Sequence, residues 1–290
     1  MDIYGRVSGG DVKRFLAGAL LILGASVAAC QFGTVSGRVT MGPARGPAPA
    51  FTETIRFSQI KFEMVLVSGD PAQEIKPFYL GRREVTWDEF MPWAMCKDVP
   101  DEKQQEELRS MNQRPSAPAW PVDREFGMAK RPALSMSRLS AELYCKWLKQ
   151  QTGRKYRLPT EQEWEHAFTL GGGDLAKPLT KAEANRVAVW KGNAPLTETG
   201  LTMSLPVGSK APNRLGIFDL AGSVAEWVTG TGGRRVVRGG YFDSDLEHLG
   251  GLGREVEDDA VWNSNDPGDP KSPWWFHDHV GVGMRLACDP

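Results

Sequence analysis

The residues best suited to chemistry lie between Gly216 and Val228, where two carboxylates stand among small and apolar residues. Asp219 and Glu226 can supply side-chain oxygens, and a hard cation such as Ca²⁺ takes roughly 6–8 oxygen ligands, backbone carbonyls included. In an extended segment alternate carbonyls point to one side, so Gly222, Val224 and Glu226 would present a common face. The alternative is a glycine turn after a short strand, with Glu226 exposed to solvent. The spacing alone favours this simpler interpretation, because short acidic patterns occur often by chance.

This segment is one of four short motifs that follow one another along the chain. The motifs read RLPTEQEWE at 157–165, GIFDLAGSVAEWV at 216–228, RGG at 238–240 and VGMR at 282–285. Their identity and order resemble the formylglycine-generating-enzyme family, also called the sulfatase-modifying-factor family. The resemblance covers roughly Phe62 to Cys288.

The resemblance implies a fold and a metal site. The implied fold is α+β and C-type-lectin-like, loop-rich, with short strands and two or three short helices. A composition of 32 Gly, 20 Pro and 10 Trp fits such a loop-rich domain. The resemblance also changes the interpretation of the 216–228 motif, because it implies a structural calcium ion held by Asp219, Gly222, Val224 and Glu226.

The segment from Tyr241 to Gly283 decides whether the resemblance extends to catalysis. Formylglycine-generating enzymes oxidise a sulfatase cysteine to formylglycine with O₂, and they use a pair of cysteines in this segment to bind copper. Soft thiolates select Cu(I), so that chemistry needs sulfur at this place. The segment contains neither cysteine nor methionine. We therefore predict no catalytic residue and no copper cofactor.

The four cysteines of the chain all lie outside that segment. Cys30 is assigned to a lipid anchor, as described below. Cys145 falls in a predicted helix, where a small buried thiol is the common interpretation. A disulfide between two of Cys96, Cys145 and Cys288 would be compatible with an oxidising compartment, but the sequence does not choose the pair.

In place of the cysteine pair, residues 262–279 read WNSNDPGDPKSPWWFHDH. This stretch resembles a variant of the family that is found in many bacterial extracytoplasmic members. His277 and His279 would share a face in an extended segment, but no third metal ligand is evident. Trp274 and Trp275 form an aromatic pair that leaves a carbohydrate-binding function open.

The first thirty residues have the pattern of a targeting segment. Lys13 and Arg14 precede an apolar run at 15–25 that ends in small residues, as in a secretory signal. The run is shorter than the roughly 20 residues of a membrane span. The sequence VAAC ending at Cys30 resembles a bacterial lipobox, which predicts lipidation of this cysteine. Gln31, in place of Asp after the cysteine, resembles lipoproteins that are sorted to an outer membrane or the cell surface.

These features divide the chain into three parts. Residues 1–29 are predicted to be a lipoprotein signal peptide. Residues 30–54 are predicted to be the lipidated cysteine and a flexible tether, because they are rich in Gly, Pro, Ala and Ser. Residues 55–290 are predicted to form one domain of the family described above.

Several helices that position these motifs can be predicted from capping patterns. Thr86 and Glu89 have the spacing of a capping box, as have Thr160 and Glu163. The stretch from Ser137 to Gln151 has apolar residues four apart and precedes a glycine suited to end a helix. We interpret the RLPTE stretch as the start of a well-capped core helix, since its glutamates have no spacing that selects catalysis.

The charge balance narrows the function classes. The chain has 35 Lys+Arg against 36 Asp+Glu, which disfavours a nucleic-acid binder. We expect an extracytoplasmic, membrane-anchored lipoprotein, at the outer membrane or cell surface rather than the inner membrane. Its domain would be a non-catalytic binding or assembly module for an envelope protein or peptide. The alternatives are an oxidoreductase of the formylglycine-generating class, a diverged enzyme of that family, and a glycan-binding surface protein.

Overall fold

The structure is a computed structural model that describes residues 50–116 and 127–290. Within these residues the chain forms two β-sheets and six α-helices. The strands are β1 (Phe51–Thr54), β2 (Lys61–Val67), β3 (Phe78–Gly81), β4 (Tyr156–Arg157), β5 (Ala225–Thr229), β6 (Arg235–Gly239), β7 (Gly250–Val256), β8 (Val282–Gly283) and β9 (Ala287–Cys288). The helices are α1 (Trp87–Ala94), α2 (Glu102–Ser110), α3 (Arg138–Thr152), α4 (Glu161–Leu170), α5 (Lys181–Val187) and α6 (Asp259–Trp262).

The first sheet has the strand order β1-β2-β3-β9-β4, and all its neighbours are antiparallel. Cys288 of β9 lies opposite both Tyr79 and Tyr156, so the end of the domain is inserted between strands from its first half. The sheet begins at Phe51, four residues before the predicted domain start at Ile55. Residues 51–54 belong to this sheet and not to a tether, because Phe51 pairs with Met64 across the β1–β2 ladder.

The second sheet brings three of the four sequence motifs side by side. Its order is β7-β6-β5-β8, and β5 is antiparallel to β6 but parallel to β8. Glu226 lies opposite Arg238 on one side and Gly283 on the other. The 216–228 motif, the RGG motif and the VGMR motif are therefore neighbours in space.

The predicted helix starts are confirmed. In α1, Thr86 accepts a hydrogen bond from the Glu89 amide and the Glu89 carboxylate accepts one from the Thr86 amide; Thr160 and Glu163 do the same in α4. Helix α3 follows its cap Ser137 and ends at Gly153, whose φ of 82° suits glycine. Six helices are more than the two or three expected. The sequence of α2 contains only one apolar residue, Leu108, and α5 and α6 are only seven and four residues long, so these segments give little signal for a helix.

The core is unusually rich in indole rings. Trp87, Trp93, Trp164 and Trp227 are each at most 1% exposed. The three cysteines within the described residues, Cys96, Cys145 and Cys288, are buried and free, so no disulfide joins them.

No helix within residues 50–116 and 127–290 is long and apolar enough to cross a bilayer. The predicted signal peptide, the lipidated Cys30 and most of the predicted tether lie outside the described residues.

Candidate functional site

The 216–228 motif encloses a buried guanidinium. Arg285, which follows β8, is 0% exposed, and the side chain of Glu226 is 1% exposed. Arg285 Nε donates to both oxygens of Glu226 at 2.9 and 3.0 Å, and Nη2 donates to Oε1 at 2.6 Å. The remaining donors reach the carbonyls of Gly81 at 2.9 Å and Phe218 at 2.8 Å. Strands from both sheets thus meet on this one side chain.

Two further carboxylates surround the pair. Glu84, in the loop after β3, accepts hydrogen bonds from the Ser223 hydroxyl at 2.9 Å and from the Val224 amide at 3.0 Å. Asp219 Oδ2 accepts from the Gly208 amide at 2.6 Å. Both residues are buried, at 1% and 3% exposure. With Glu226 they make a cluster of three carboxylates around one cation, which we call the Arg285 cluster.

Burial dominates the electrostatics of this cluster. It raises the pKa of Glu84 well above its ordinary value, and the neighbouring Asp219 and Glu226 charges raise it further. Burial likewise raises the pKa of Asp219 to about 6, against the Gly208 hydrogen bond and the Arg285 charge, which lower it. Burial lowers the pKa of Arg285, but Glu226 outweighs it, so the pKa of the guanidinium is raised and it stays charged.

The four residues predicted as calcium ligands can be compared with these contacts. A calcium site needs carboxylate oxygens directed at the ion. Both Glu226 oxygens are instead directed at Arg285, and Oε2 also accepts from Trp164 Nε1 at 2.9 Å. Within the described residues, no three His, Cys, Asp or Glu side chains are grouped to hold a metal ion. In this arrangement the guanidinium holds the Glu226 carboxylate, so one of the four predicted ligands, Asp219, Gly222, Val224 and Glu226, is not directed at a calcium ion.

We expect removal of calcium to leave the stability of this protein unchanged. A ligand of the native state stabilises it by mass action, so a calcium-dependent fold would melt at a lower temperature in a chelator such as EGTA. Because Arg285 neutralises Glu226 without an ion, the melting temperature should shift by less than about 1 °C. Melting curves with EGTA and with added CaCl₂ check this. A clear drop in EGTA, with calcium found by mass spectrometry, would instead support the calcium site predicted from the sequence.

The two histidines of the 241–283 segment do not form a joint site. His279 Nε2 lies 3.1 Å from Glu255 Oε2, and its ring packs edge-on against Trp262 at 4.5 Å between centroids. His277 Nδ1 faces Asp278 at 3.4 Å. The two imidazoles therefore have separate carboxylate partners, and the pair offers no shared metal ligand set.

The side chain of Arg238, in the RGG motif, is held by contacts within the domain. Its guanidinium lies 5.3 Å from the centroid of the Trp164 ring and donates to the Gly251 carbonyl at 3.0 Å. A salt bridge of 2.9 Å joins it to Glu165. This arginine therefore ties β6 to β7 and α4, and at 3% exposure it presents little surface to a ligand.

Sequence reasoning missed two members of the Arg285 cluster. Arg285 lies in the VGMR motif and Glu84 lies outside the four motifs, and nothing in the chain order shows that they meet Glu226. The signal that could have found Arg285 is its type, because a basic residue in the largely apolar stretch at 280–288 must find partners when it is buried. Glu84 follows Arg82 and Arg83, so its sequence context gives no such signal.

Comparisons with known proteins agree with the resemblance seen in the sequence. A family model described as "Sulfatase-modifying factor enzyme 1-like domain" matches residues 36–262. The chain is 29% identical over 188 residues to serine/threonine-protein kinase pkn1 of Chlamydia pneumoniae, covering 62% of this chain and 28% of that protein. It is 35% identical over 119 residues to the formylglycine-generating enzyme of Thermomonospora curvata, covering 38% of this chain and 37% of the enzyme.

A further relative is named inactive. The chain is 30% identical over 176 residues to "Inactive C-alpha-formylglycine-generating enzyme 2" of Bos taurus, covering 54% of this chain and 56% of that protein. Among solved structures, Treponema denticola variable protein 1 superposes with a TM-score of 0.54 at 21% identity, covering 84% of this chain and all of that one. This structural likeness confirms the mixed, loop-rich fold. The chain spans less than two thirds of the length of each of the three curated relatives.

Proposed function

This chain belongs to the family of sulfatase-modifying factor enzyme 1-like domains, and on that basis we propose that it is a non-catalytic member which acts as a binding or assembly module of the cell envelope. Its partner would be an envelope protein or peptide. The proposal includes an extracytoplasmic location and a lipid anchor at Cys30, at the outer membrane or cell surface. The family's scaffold motifs are present, but the chemistry of its enzymes requires more than the scaffold.

The observation that carries the proposal is the lack of sulfur between Tyr241 and Gly283. The copper chemistry expected of the family's enzymes needs a pair of thiolates in that segment, and carboxylate or imidazole groups are poor substitutes for Cu(I). The segment instead places His279 against Glu255 and buries Trp274 and Trp275.

The three cysteines within the described residues do not replace that pair. Burial raises the pKa of Cys145 to about 12 and that of Cys288 to about 11, and it also raises the pKa of Cys96. A thiol of high pKa stays protonated at neutral pH, whereas the metal ligand and nucleophile is the thiolate. Cys145 and Cys288 also lie in α3 and β9, where they are 4% and 0% exposed.

We expect the purified chain to bind no copper stoichiometrically and to consume no oxygen with a sulfatase peptide. The peptide should contain the cysteine that formylglycine-generating enzymes oxidise, and product should be sought by mass spectrometry. A formylglycine-generating enzyme run in parallel shows that the peptide and copper are competent. Formation of formylglycine, or copper-dependent oxygen uptake by this chain, would replace the proposal with the oxidoreductase alternative.

The tryptophan pair that suggested glycan binding is buried. Stacking on a sugar needs an accessible aromatic face, but Trp274 and Trp275 are each only 4% exposed. Trp275 lies 6.1 Å from Trp87 between ring centroids, and its Nε1 donates to the Ser116 carbonyl at 3.1 Å. The tryptophan pair that suggested this function from the sequence is therefore part of the core.

A further inference from the structure

A cleft of about 440 Å³ opens between the start of β2 and the start of α1. This volume is within the range of small-ligand sites, roughly 300–1,000 Å³. We call it the β2–α1 cleft, and its charged lining residues are Lys61, Glu63, Arg83, Glu84, Asp88, Glu89 and Lys130. It lies apart from the 241–283 segment, so the missing thiolates do not bear on it.

Some charged groups of the β2–α1 cleft are buried and others are exposed at its mouth. Glu84 and Glu89 are buried, with 1% and 7% exposure, and line its inner part. Lys61 and Lys130 are exposed, and neither forms an ion pair within residues 50–116 and 127–290. Two carboxyl groups therefore lie inside. The mouth carries the two ammonium groups without ion-pair partners, and also the exposed Asp88, whose Oδ2 accepts a hydrogen bond from the Lys130 amide at 3.1 Å. Arg83 is already paired with Glu63 at 3.1 Å.

The two inner carboxylates differ in how many of their oxygens accept hydrogen bonds. Both oxygens of Glu84 accept hydrogen bonds, from Ser223 and Val224. Glu89 receives the Thr86 amide and hydroxyl on Oε1 alone, at 3.4 and 2.8 Å. Its Oε2 has no hydrogen-bond partner within the part of the chain that the structure describes. Because Glu89 lines the cleft, Oε2 is the carboxylate oxygen that is open to a donor from a ligand.

We propose that the β2–α1 cleft binds a small zwitterion of dipeptide size, with its ammonium group at Glu89 Oε2 and its carboxylate toward Lys61 and Lys130. An ammonium group supplies three donors, and it supplies the counter-charge for Glu89, which forms no ion pair within the described residues. A carboxylate pairs with the exposed lysines at the mouth.

The titration of Glu89 gives this site a pH dependence. Burial raises the pKa of Glu89 to about 7; Asp88 raises it slightly, while the Thr86 hydrogen bonds and the Arg83 charge lower it. Glu84, Lys61 and Lys130 line the same cleft. Below this pKa the carboxyl is protonated and loses its attraction for ammonium. Affinity should therefore rise about fivefold between pH 6 and 7, where the amino group of a dipeptide stays mostly protonated.

The test measures binding of three probes by isothermal titration calorimetry to the full chain. Alanyl-alanine carries both charges, N-acetyl-alanyl-alanine lacks the ammonium group, and alanyl-alanine amide lacks the carboxylate. We expect measurable binding of the dipeptide, at least tenfold weaker binding of the amide, and no detectable binding of the acetylated form.

Two variants assign the charges to residues. Glu89→Gln should weaken dipeptide binding at least tenfold and abolish the change between pH 6 and 7. Glutamine at this capping position still accepts the Thr86 bond, so the melting temperature should be nearly unchanged. Lys130→Gln should weaken the dipeptide but leave the amide unaffected. The matched control is Glu183→Gln, the same substitution in the exposed capping box of α5, which should leave binding unchanged.

Three results would overturn the assignment: no binding of the dipeptide at millimolar concentration, equal binding of the acetylated form, or Glu89→Gln binding as wild type does. None of these results bears on whether the chain is an enzyme. The proposed non-catalytic function is tested separately, by the copper and oxygen experiment.

Discussion

Replacing Arg285 with methionine is expected to lower the free energy of unfolding by about 3–5 kcal/mol, the usual cost of removing one partner from a buried ion pair. Arg285 is fully buried and donates to Glu226, Gly81 and Phe218. Methionine would fill part of the volume but would leave the Glu226 carboxylate without its counter-charge. Part of the loss should be recovered as the pH falls below about 6, because burial raises the pKa of Asp219 to about 6 and that of Glu84 well above its ordinary value, and protonation of these neighbours removes negative charge from the cluster.

Denaturant unfolding at pH 7 and pH 5 measures this effect. The control is Arg254→Met, which breaks the 2.7 Å pair between Arg254 and Glu161. Arg254 is 39% exposed along its side chain, so this loss should be below about 1 kcal/mol. Equal losses for the two variants would contradict a central role for the Arg285 cluster in stability.

Replacing Gly222 with alanine is expected to cost about 2–5 kcal/mol. Gly222 has a φ of 71°, and an L-residue in the left-handed region costs about 1–2 kcal/mol. A Cβ atom built there would lie 2.2 Å from the Val189 carbonyl oxygen. Ser223 donates to that same oxygen at 2.8 Å, so the backbones can separate only by losing this bond. The added steric cost is of the size found for overpacked sites, about 1–3 kcal/mol.

Gly200→Ala separates backbone strain from steric clash. Gly200 has a φ of 87° in an exposed turn, and no atom lies within 4 Å of a Cβ built there. The free energy of unfolding of the Gly200→Ala variant should fall only by the cost of the left-handed backbone conformation, about 1–2 kcal/mol. Both variants can be compared by denaturant unfolding. If they lose the same amount, the close approach of Gly222 to Val189 is not what constrains this position.

The two substitutions address one structural idea. The 216–228 motif stands where the two sheets meet, and it joins them through Glu226 and Arg285. Gly222 lets the chain pass against Val189. Glu226 accepts hydrogen bonds from the guanidinium of Arg285, which lies near the C-terminal end of the sequence. These roles hold whether or not the protein has a catalytic activity, which explains how a non-catalytic member can retain the motif.

Some features could be predicted from the sequence because they depend on residues close together in the chain. A capping box joins residues three apart, so the starts of α1 and α4 followed from Thr86 with Glu89 and from Thr160 with Glu163. The ordered motifs predicted the family and its mixed, loop-rich fold. The lack of cysteine between Tyr241 and Gly283 is a property of composition that no fold can alter.

Other features depended on which distant residues meet and how deeply they are buried. Arg285 lies 59 residues from Glu226 in sequence, yet β5 and β8 are neighbouring strands, and this pairing directs the carboxylate to a guanidinium and not to a calcium ion. Burial turned Trp274 and Trp275 from candidate sugar-stacking groups into core side chains. Glu89 was rightly predicted as a helix cap, but the tertiary structure alone placed its second oxygen in a cleft with unpaired lysines at the mouth. In each case a side chain's chemistry was visible in the sequence, while its partner and its exposure to water were set by long-range packing.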